Sequence, residues 1–584
     1  MLRLYKKLRP VDWVLLVVLA GLTVLQVYCT ITLTDFTQNI IQSITYLGYQ
    51  KNPDNLPEEF AAVYAFIESI GGWQSLTAEA LAGVGITGEG AAALLAIAGA
   101  TTGDIWYHGG MMLAVAAGSM VCQICVGLIA SFIGAGFAAT LRSSIYKKVD
   151  SFSIAEQHTF STPSLITRTT NDVQQVQMAN ILMLRMAVAA PITAIWAICK
   201  IQATSFQFTL FTAVAVVVLV LFLSMLMVFV MPKFKIMQKL VDGLNGVSRE
   251  HLTGLRVVRA YNAEEYQENK FGAANDKITK TQLFTGRMMA LMSPVMMLIM
   301  NGVSLGIYWL GAALVNKEVV DLSTIMQFMM LASQIIMSFM MVMMMFVLLP
   351  RAQVAATRIN AVLDTKPSIS DPESDAPRTE TGTVEFKNVT FAYPDSDLPV
   401  LKNISFKAEK GQTVAFIGST GSGKSTLINL VPRFFDVTEG QVLIDGADVR
   451  EIKQSTLRSI IGYVPQKGVL FTGTVKENIA FGKPDLSDEE VIAAAKVAEA
   501  DEFVREMEQG YNSEISQGGK NVSGGQKQRL SIARAVAVKP EIFIFDDSFS
   551  ALDYKTDKKV RENLKAASDG ATKLIVAQRI GTIM

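Results

Sequence analysis

The sequence has 584 residues, half of them apolar, with 52 basic and 52 acidic side chains and a formal net charge of zero. A positive mean hydropathy at this length excludes an ordinary soluble globular protein, and the charge balance gives no support for nucleic acid as a partner. The apolar residues crowd into roughly the first 350 positions, while 383–584 has ordinary globular composition, so more than one domain is expected.

Met1 to Pro10 carries Arg3, Lys6, Lys7 and Arg9, and the apolar run Val11–Leu33 follows directly. The run is too long for a signal-peptide core and lacks a small-residue cleavage site, so it reads as a first membrane span, about 11–33. Further spans are expected at about 110–138, 181–200, 206–231, 288–314 and 322–349, six in all, with Lys200 in the turn between the third and fourth. Residues 34–109 hold one basic residue, Lys51, against eight acidic ones. Residues 232–287 hold Lys233, Lys235, Lys239, Arg249, Arg256, Arg259, Lys270, Lys277, Lys280 and Arg287. The excess of positive charge places the N-terminus and the 139–180 and 232–287 loops in the cytoplasm. Six spans then return the chain to the cytoplasm before residue 350.

The 34–109 insertion is long for a connection between adjacent spans. It contains Pro53, Pro57, an apolar patch at Phe60–Ile70 and a small-residue run at Gly88–Ala100. A stretch at 89–102 is too short to cross a bilayer, so a small folded or membrane-surface element outside the cell is expected. Cys29, Cys122, Cys125 and Cys199 all fall in expected spans, where helix packing is their default use and the Cys122-x-x-Cys125 pair lacks a second pair. Fifteen of the 28 methionines lie between Met288 and Met345. Most read as lipid-facing filler; with Asn301, Gln327 and Gln334 nearby, one face of the last two spans is a candidate lining for an apolar or amphipathic substrate. Phe160–Asp172, with Arg168 and Asn171, and Ala263–Phe271 read either as contacts to another domain or as solvated charged faces. The proline-marked stretch Thr365–Gly382 is a linker. The domains are therefore 1–364, the linker 365–382, and 383–584.

In the second half, Val384–Phe391 alternates as an edge strand does, and Tyr393 follows it, an aromatic suited either to stack on adenine or simply to end a strand. Thr413–Ile417 reads as a short buried strand. It leads into Gly418-Ser419-Thr420-Gly421-Ser422-Gly423-Lys424-Ser425-Thr426, which matches G-x-x-x-x-G-K-[ST] and opens an apolar helical pattern. Glycines in such a loop turn backbone N–H groups inward onto phosphate oxygens; Lys424 reaches the β- and γ-phosphates, and the Ser425 hydroxyl is placed to ligate Mg²⁺. Gln466 is placed to reach Mg²⁺ or an attacking water. Ser523-Gly524-Gly525-Gln526 heads a helix and supplies a second set of phosphate-binding donors. Ile542–Asp547 is a buried strand ending in two carboxylates, of which Asp546 suits the magnesium shell. Ser550-Ala551-Leu552-Asp553 and the strand Thr572–Ala577, leading to Gln578, follow.

This order of motifs resembles the ATP-binding cassette (ABC) transporters, specifically the exporter type with six spans fused to one cassette. The resemblance implies an α-helical transmembrane domain, with long cytoplasmic extensions of the spans, fused to an α/β phosphate-loop nucleotide-binding domain. It implies ATP and Mg²⁺ as cofactors, the lipid bilayer as surroundings and a second half-transporter as partner. Each ATP is clamped between one chain's phosphate loop and the other chain's S-G-G-Q signature, with Asp553 in the connecting loop. The 160–172 and 263–271 stretches match the family's coupling helices. Two positions depart from the pattern: the hydrolytic glutamate is Asp547, and the switch histidine is Gln578. An acid one methylene shorter misplaces the water, and an amide cannot carry a proton. The departures resemble the degenerate-site subunit of heterodimeric bacterial multidrug exporters, whose partner keeps Glu and His. The expected function is ATP-driven export of a hydrophobic or amphipathic compound. The alternatives are a homodimer with slow sites and an ATP-binding gate or sensor that pumps nothing. The family continues through further strand and helix beyond the position of Gln578, so a longer cassette than one ending at Met584 is expected.

Overall fold

The computed structural model describes residues 2–52, 56, 58–204, 206–315, 321–394, 396, 398–568 and 570–577. It divides into a membrane unit, 1–145 with 167–363, and a cassette unit, 146–166 with 364–584.

Among the described residues of the chain, six helical stretches are long and apolar enough to cross a bilayer: 10–51, 102–150, 162–202, 206–253, 264–315 and 322–342. Helices α1 (Pro10–Lys51), α2 (Glu58–Ser69), α3 (Ala78–Gly83), α4 (Glu89–Gly99) and α5 (Thr102–Asp150) come first. They are followed by α6 (Ile154–Phe160), α7 (Thr162–Thr167), a π-helical turn at Arg168–Asp172, α8 (Val173–Met186) and α9 (Ala189–Thr204). Last come α10 (Phe206–Thr253), α11 (Leu255–Ala260), α12 (Glu264–Val315) and α13 (Leu322–Asp364). With 42 residues in α1 and 52 in α12, these helices are about 63–78 Å long, twice the hydrocarbon thickness. The third apolar stretch begins near residue 162, well before the expected 181, because the polar, amphipathic turns of α7 and α8 continue the same helical path.

At the start of α1, Asp12 is fully buried. It accepts from the Arg9 guanidinium at 2.8 Å and from the Arg9 backbone N–H at 3.0 Å, which together satisfy the carboxylate. Tyr5 stacks on Phe137 and donates to Asn180 at 2.9 Å, tying the N-terminal turn to α5 and α8. The insertion has a core of its own, in which Val63, Ile67, Leu76, Leu81 and Leu94 are buried together. The Gln50 amide at the end of α1 donates to the carbonyls of Ile97 and Ala100, which close α4.

The cassette holds two four-stranded sheets. The first is antiparallel, in the order β2-β1-β4-β5, with β1 Val384–Phe391, β2 Leu401–Ala408, β4 Glu439–Ile444 and β5 Ala447–Asp448. The second is parallel, in the order β3-β10-β9-β6, with β3 Thr413–Ile417, β6 Ile461–Val464, β9 Ile542–Asp546 and β10 Thr572–Ala577. A two-stranded ribbon pairs β7 (Gly473–Thr474) with β8 (Glu514–Ile515). Two expectations need correcting. Strand β1 is central: its alternation comes from packing one face on the core while both neighbours complete its hydrogen bonds. Strand β3 is of intermediate burial rather than buried, with Ile417 exposed, and among the described residues it pairs only with β10.

Of the Phe160–Asp172 stretch, residues 160–166 lie in the cassette unit and 167–172 in the membrane unit. Just upstream, Ile154 and Ala155 pack against the core that includes Val384 and Ile428, and Ser153 hydrogen-bonds Ser368 at 2.8 Å. Arg168 instead donates to the Arg358 carbonyl at 2.9 Å, and Asp172 faces Arg358, so this end belongs to the membrane unit. The 263–271 stretch is the first turns of α12, following the short α11.

The first sheet contains a bulge: β1 and β4 keep register at Lys387↔Gln441 and resume it at Thr390↔Glu439. Asn388, at φ +49°, supplies the extra residue. Opposite it Gly440 sits at φ +83°, and a Cβ there would lie 2.4 Å from the Lys387 and Asn388 carbonyl oxygens. Gly440→Ala should therefore cost about 1–3 kcal/mol. The check is a lowered Tm of the purified chain; an unchanged Tm would contradict this account of the bulge.

Candidate nucleotide-binding site

In a parallel sheet the loops after the strand C-termini converge on one edge, where ligands bind. Here Ile417 pairs with Ala577, Val576 with Asp546 and Phe545 with Val464. That register brings the phosphate loop after β3, the carboxylates ending β9 and the Gln466 loop after β6 to the same edge.

The loop enters α14 (Lys424–Leu430) through Gly423 in the left-handed region at φ +86°, with Gly421 at φ +85°. Both positions need glycine, and together they turn the loop N–H groups inward. The Lys424 ammonium spans the loop, donating to the Gly418 and Ser419 carbonyls at 2.8 Å each and to the Ser422 hydroxyl at 3.3 Å. Ser425 donates to Asp546 Oδ1 at 2.8 Å. The Thr426 hydroxyl meets the Tyr393 hydroxyl at 2.8 Å, while the Tyr393 ring packs edge-on to Phe391 and Phe435. The aromatic is thus fixed beside the loop helix.

Asp546 and Asp547 are both buried, 6 % and 7 % exposed. Burial raises the Asp546 carboxyl above its ordinary range; the Ser425 hydroxyl opposes the shift and the Asp547 charge adds to it. Burial also pushes the neighbouring Tyr463 hydroxyl up to about 12. Asp547 has φ +49°, and its N–H donates to the Val576 carbonyl at 3.1 Å while its own carbonyl accepts from the Ser550 hydroxyl at 2.8 Å. The Gln466 amide reaches Asp547 Oδ2 at 3.4 Å. Gln578 lies outside the described residues.

Ser523 caps the 14-residue helix Gly524–Ala537, accepting from the Gln526 N–H at 3.3 Å, while the Gln526 side chain accepts from the Ser523 N–H at 2.8 Å. Among the described residues no hydrogen bond joins Ser523–Gln526 to the 418–426 loop. Asp553 caps the helix Tyr554–Ala567 by accepting from the Thr556 N–H at 3.0 Å.

Sequence reasoning missed Gln528. It is 1 % exposed, and its amide donates to the Pro465 carbonyl at 3.1 Å and accepts from the Gly468 N–H at 3.0 Å. It therefore clamps both flanks of Gln466. One turn into a helix rich in polar residues, an amide of this kind carries no signal of its burial.

The residues present fit both groups that the motifs imply. The inward-turned loop amides and Lys424 suit a triphosphate. The oxygens of Ser425 and Asp546 suit Mg²⁺, which takes one or two protein ligands when phosphate and water supply the rest. Among the described residues no cluster of three or more His, Cys, Asp or Glu is placed to hold a metal.

Residues 401–550 match the family model described as ABC transporter, and residues 88–339 match that of the ABC transporter transmembrane region. An uncharacterised ABC transporter ATP-binding protein of Mycobacterium tuberculosis is 40 % identical over 83 % of this chain and 84 % of its own length. The chain belongs to the ABC transporter family. An ATP-dependent lipid A-core flippase of Syntrophus aciditrophicus is 32 % identical over 79 % of this chain and 77 % of its own. A bacterial Atm1-family ABC exporter solved with ATP bound shares the fold, with a TM-score of 0.71 at 22 % identity over 97 % of this chain and 91 % of the other. This ABC exporter is therefore a multi-pass membrane protein with a cytoplasmic ATP-binding domain, of the class that couples ATP hydrolysis to transport.

Removing the Lys424 ammonium takes away the loop's one full charge for phosphate. Lys424→Ala should weaken ATP binding to this site on the order of tenfold or more. Titration of the purified complex with a fluorescent ATP analogue checks it, and an unchanged affinity would contradict the assignment.

Proposed function

We infer that this chain is one half of a heterodimeric exporter. It binds ATP on its own phosphate loop, hydrolyses it poorly there, and lends its signature to a partner site that does the work. The observation that carries this reading is Asp547. It stands directly after the strand carboxylate Asp546, where a family member places its general base. Its backbone is pinned in the left-handed region by Val576 and Ser550. With the backbone held, the side chain cannot make up the missing methylene by moving forward, and general-base work needs heavy-atom contacts of about 2.6–3.2 Å. Gln578 stands at the switch position as an amide, which hydrogen-bonds but carries no proton.

Mg²⁺, when bound, neutralises charge between the phosphates; Ser425 and Asp546 would hold it, with Gln466 beside them. The remaining work is done by this chain's own groups. Lys424 and the loop amides orient the triphosphate, Tyr393 lies beside the loop for adenine, and Asp547 with Gln466 contacts the water poorly. Ser523, Gly524, Gly525 and Gln526, pre-capped and unbonded to their own phosphate loop, are left to close over the partner's ATP, with Asp553 beside them. The likeness to a lipid flippase and the methionine-rich last spans support a hydrophobic or amphipathic cargo. The partner is a second half-transporter with Glu and His at the two positions.

Two expectations follow. Ser523→Arg puts a bulky cation where small donors approach a phosphate, so steady-state ATPase of the complex should fall by about 10²-fold or more although this chain's own loop is intact. Activity within a few-fold of wild type would sink the shared-site reading. Asp547→Asn should leave turnover within about twofold, whereas the equivalent change in the partner should abolish it. Asp547→Glu with Gln578→His should raise turnover more than either change alone, since groups acting as a unit are non-additive. A large loss from Asp547→Asn alone would make Asp547 a working base and end the degenerate-site reading.

A further inference from the structure

In the composite sites proposed above, the Gln466 loop serves one ATP and the signature serves the other, yet one buried amide joins them within this chain. Gln528 lies on the signature helix Gly524–Ala537, two residues past Gln526. Its amide N–H donates to the Pro465 carbonyl at 3.1 Å, and its carbonyl accepts from the Gly468 N–H at 3.0 Å. The side chain thus bridges the loop on both sides of Gln466. At 1 % exposure it has no water to fall back on, so losing either bond strands a buried polar group.

Two further contacts stiffen this grip. Gly468 lies flat against the helix: a Cβ there would sit 2.8 Å from the Lys527 carbonyl oxygen and 2.9 Å from the Ser531 hydroxyl. On the other side of the loop, the buried Ser548 hydroxyl donates to the Val464 carbonyl at 2.9 Å. Ser548 directly follows Asp547, which the Gln466 amide reaches at 3.4 Å. The loop is therefore held between the carboxylate turn of this chain's own site and the helix that carries its signature.

The head of that helix is open. Ser523 and Gly524 are exposed, and among the described residues no hydrogen bond ties the signature to this chain's phosphate loop. One turn of a hydrogen-bonded helix moves as a unit, so displacing the Gln466 loop shifts the signature, and seating the signature shifts the loop.

We propose that Gln528 is a positioning residue that acts through Gln466 and ties the nucleotide state of this chain's own site to the aim of the signature it offers the partner. The proposal rests on the shared-site reading given above. An amide suits the task because it donates and accepts at once; a carboxylate only accepts and a thioether does neither well.

The test is steady-state ATPase of the purified pair, read as kcat and KM, with every change made in this chain. Gln528→Met keeps the volume of the side chain and removes both hydrogen bonds. It should lower kcat about tenfold and leave KM for ATP within about twofold, since no contact to ATP is lost. Gln466→Ala should lower kcat by a similar factor. The double variant should be no slower than the worse single one, because both changes cut the same connection. A side chain that only holds up the fold predicts losses that multiply, to about 100-fold. If Gln528→Met fails to fold, Gln528→Glu, which keeps the bond to Gly468 and loses the one to Pro465, carries the same cycle. Losses that multiply, a Gln528 variant with the parent's kcat, or a Gln466→Ala without effect would each overturn the relay. Ser523→Arg separates the two levels. If that variant keeps its activity, the shared-site reading has failed; if it loses activity while the cycle multiplies, the relay alone has failed.

Discussion

Two adjacent carboxylates cannot be buried unless each finds a partner, and the cassette is arranged around meeting that demand at Asp546 and Asp547. Ser425 answers the first from the start of α14 and Gln466 approaches the second from the loop after β6. The partners come from different ends of the parallel sheet's strand order, and only the β3-β10-β9-β6 register delivers them to the same edge. The raised pKa of Asp546 follows from the same burial. Deprotonating it costs least when a cation stands opposite, which is the electrostatic argument for the proposal that Asp546 and Ser425 would hold Mg²⁺.

The second consequence is a division of labour. The phosphate loop is stretched across its own carbonyls by Lys424, and the signature is stitched to itself by Ser523 and Gln526. Each is complete as a donor set, and they share no bond within the described residues. A composite site built from two chains uses both without rebuilding either. In the proposed heterodimer, this chain could then lack a working base and still keep every residue the partner needs.

Much of this was legible in residue order, because phosphate chemistry demands particular residues at fixed spacing: Gly421, Gly423 and Lys424 allow few substitutes. The six apolar stretches were legible for a similar reason, since a bilayer admits only long satisfied helices. What escaped was decided by neighbours distant in sequence. Alternation in Val384–Phe391 reports one buried face and is silent on whether a strand has one neighbour or two. The apolar run Thr413–Ile417 gave no sign of its intermediate burial. Gln528 read as an ordinary polar residue until the fold set Pro465 and Gly468 around it. The cassette contact at Ser153–Ala155 carries little signal in the sequence, since it rests on one hydroxyl and two modest apolar side chains.

A chain whose own site is degenerate, as proposed, needs a different partner to turn over ATP. The direct measurement is to tag the chain in its native membrane, purify it gently, identify what comes with it, and assay ATPase of the complex and of the chain alone. The expected result is an equimolar second half-transporter carrying Glu and His at the two positions, with activity confined to the pair. A homodimer of this chain alone that hydrolyses ATP at the rate of the isolated complex would contradict it.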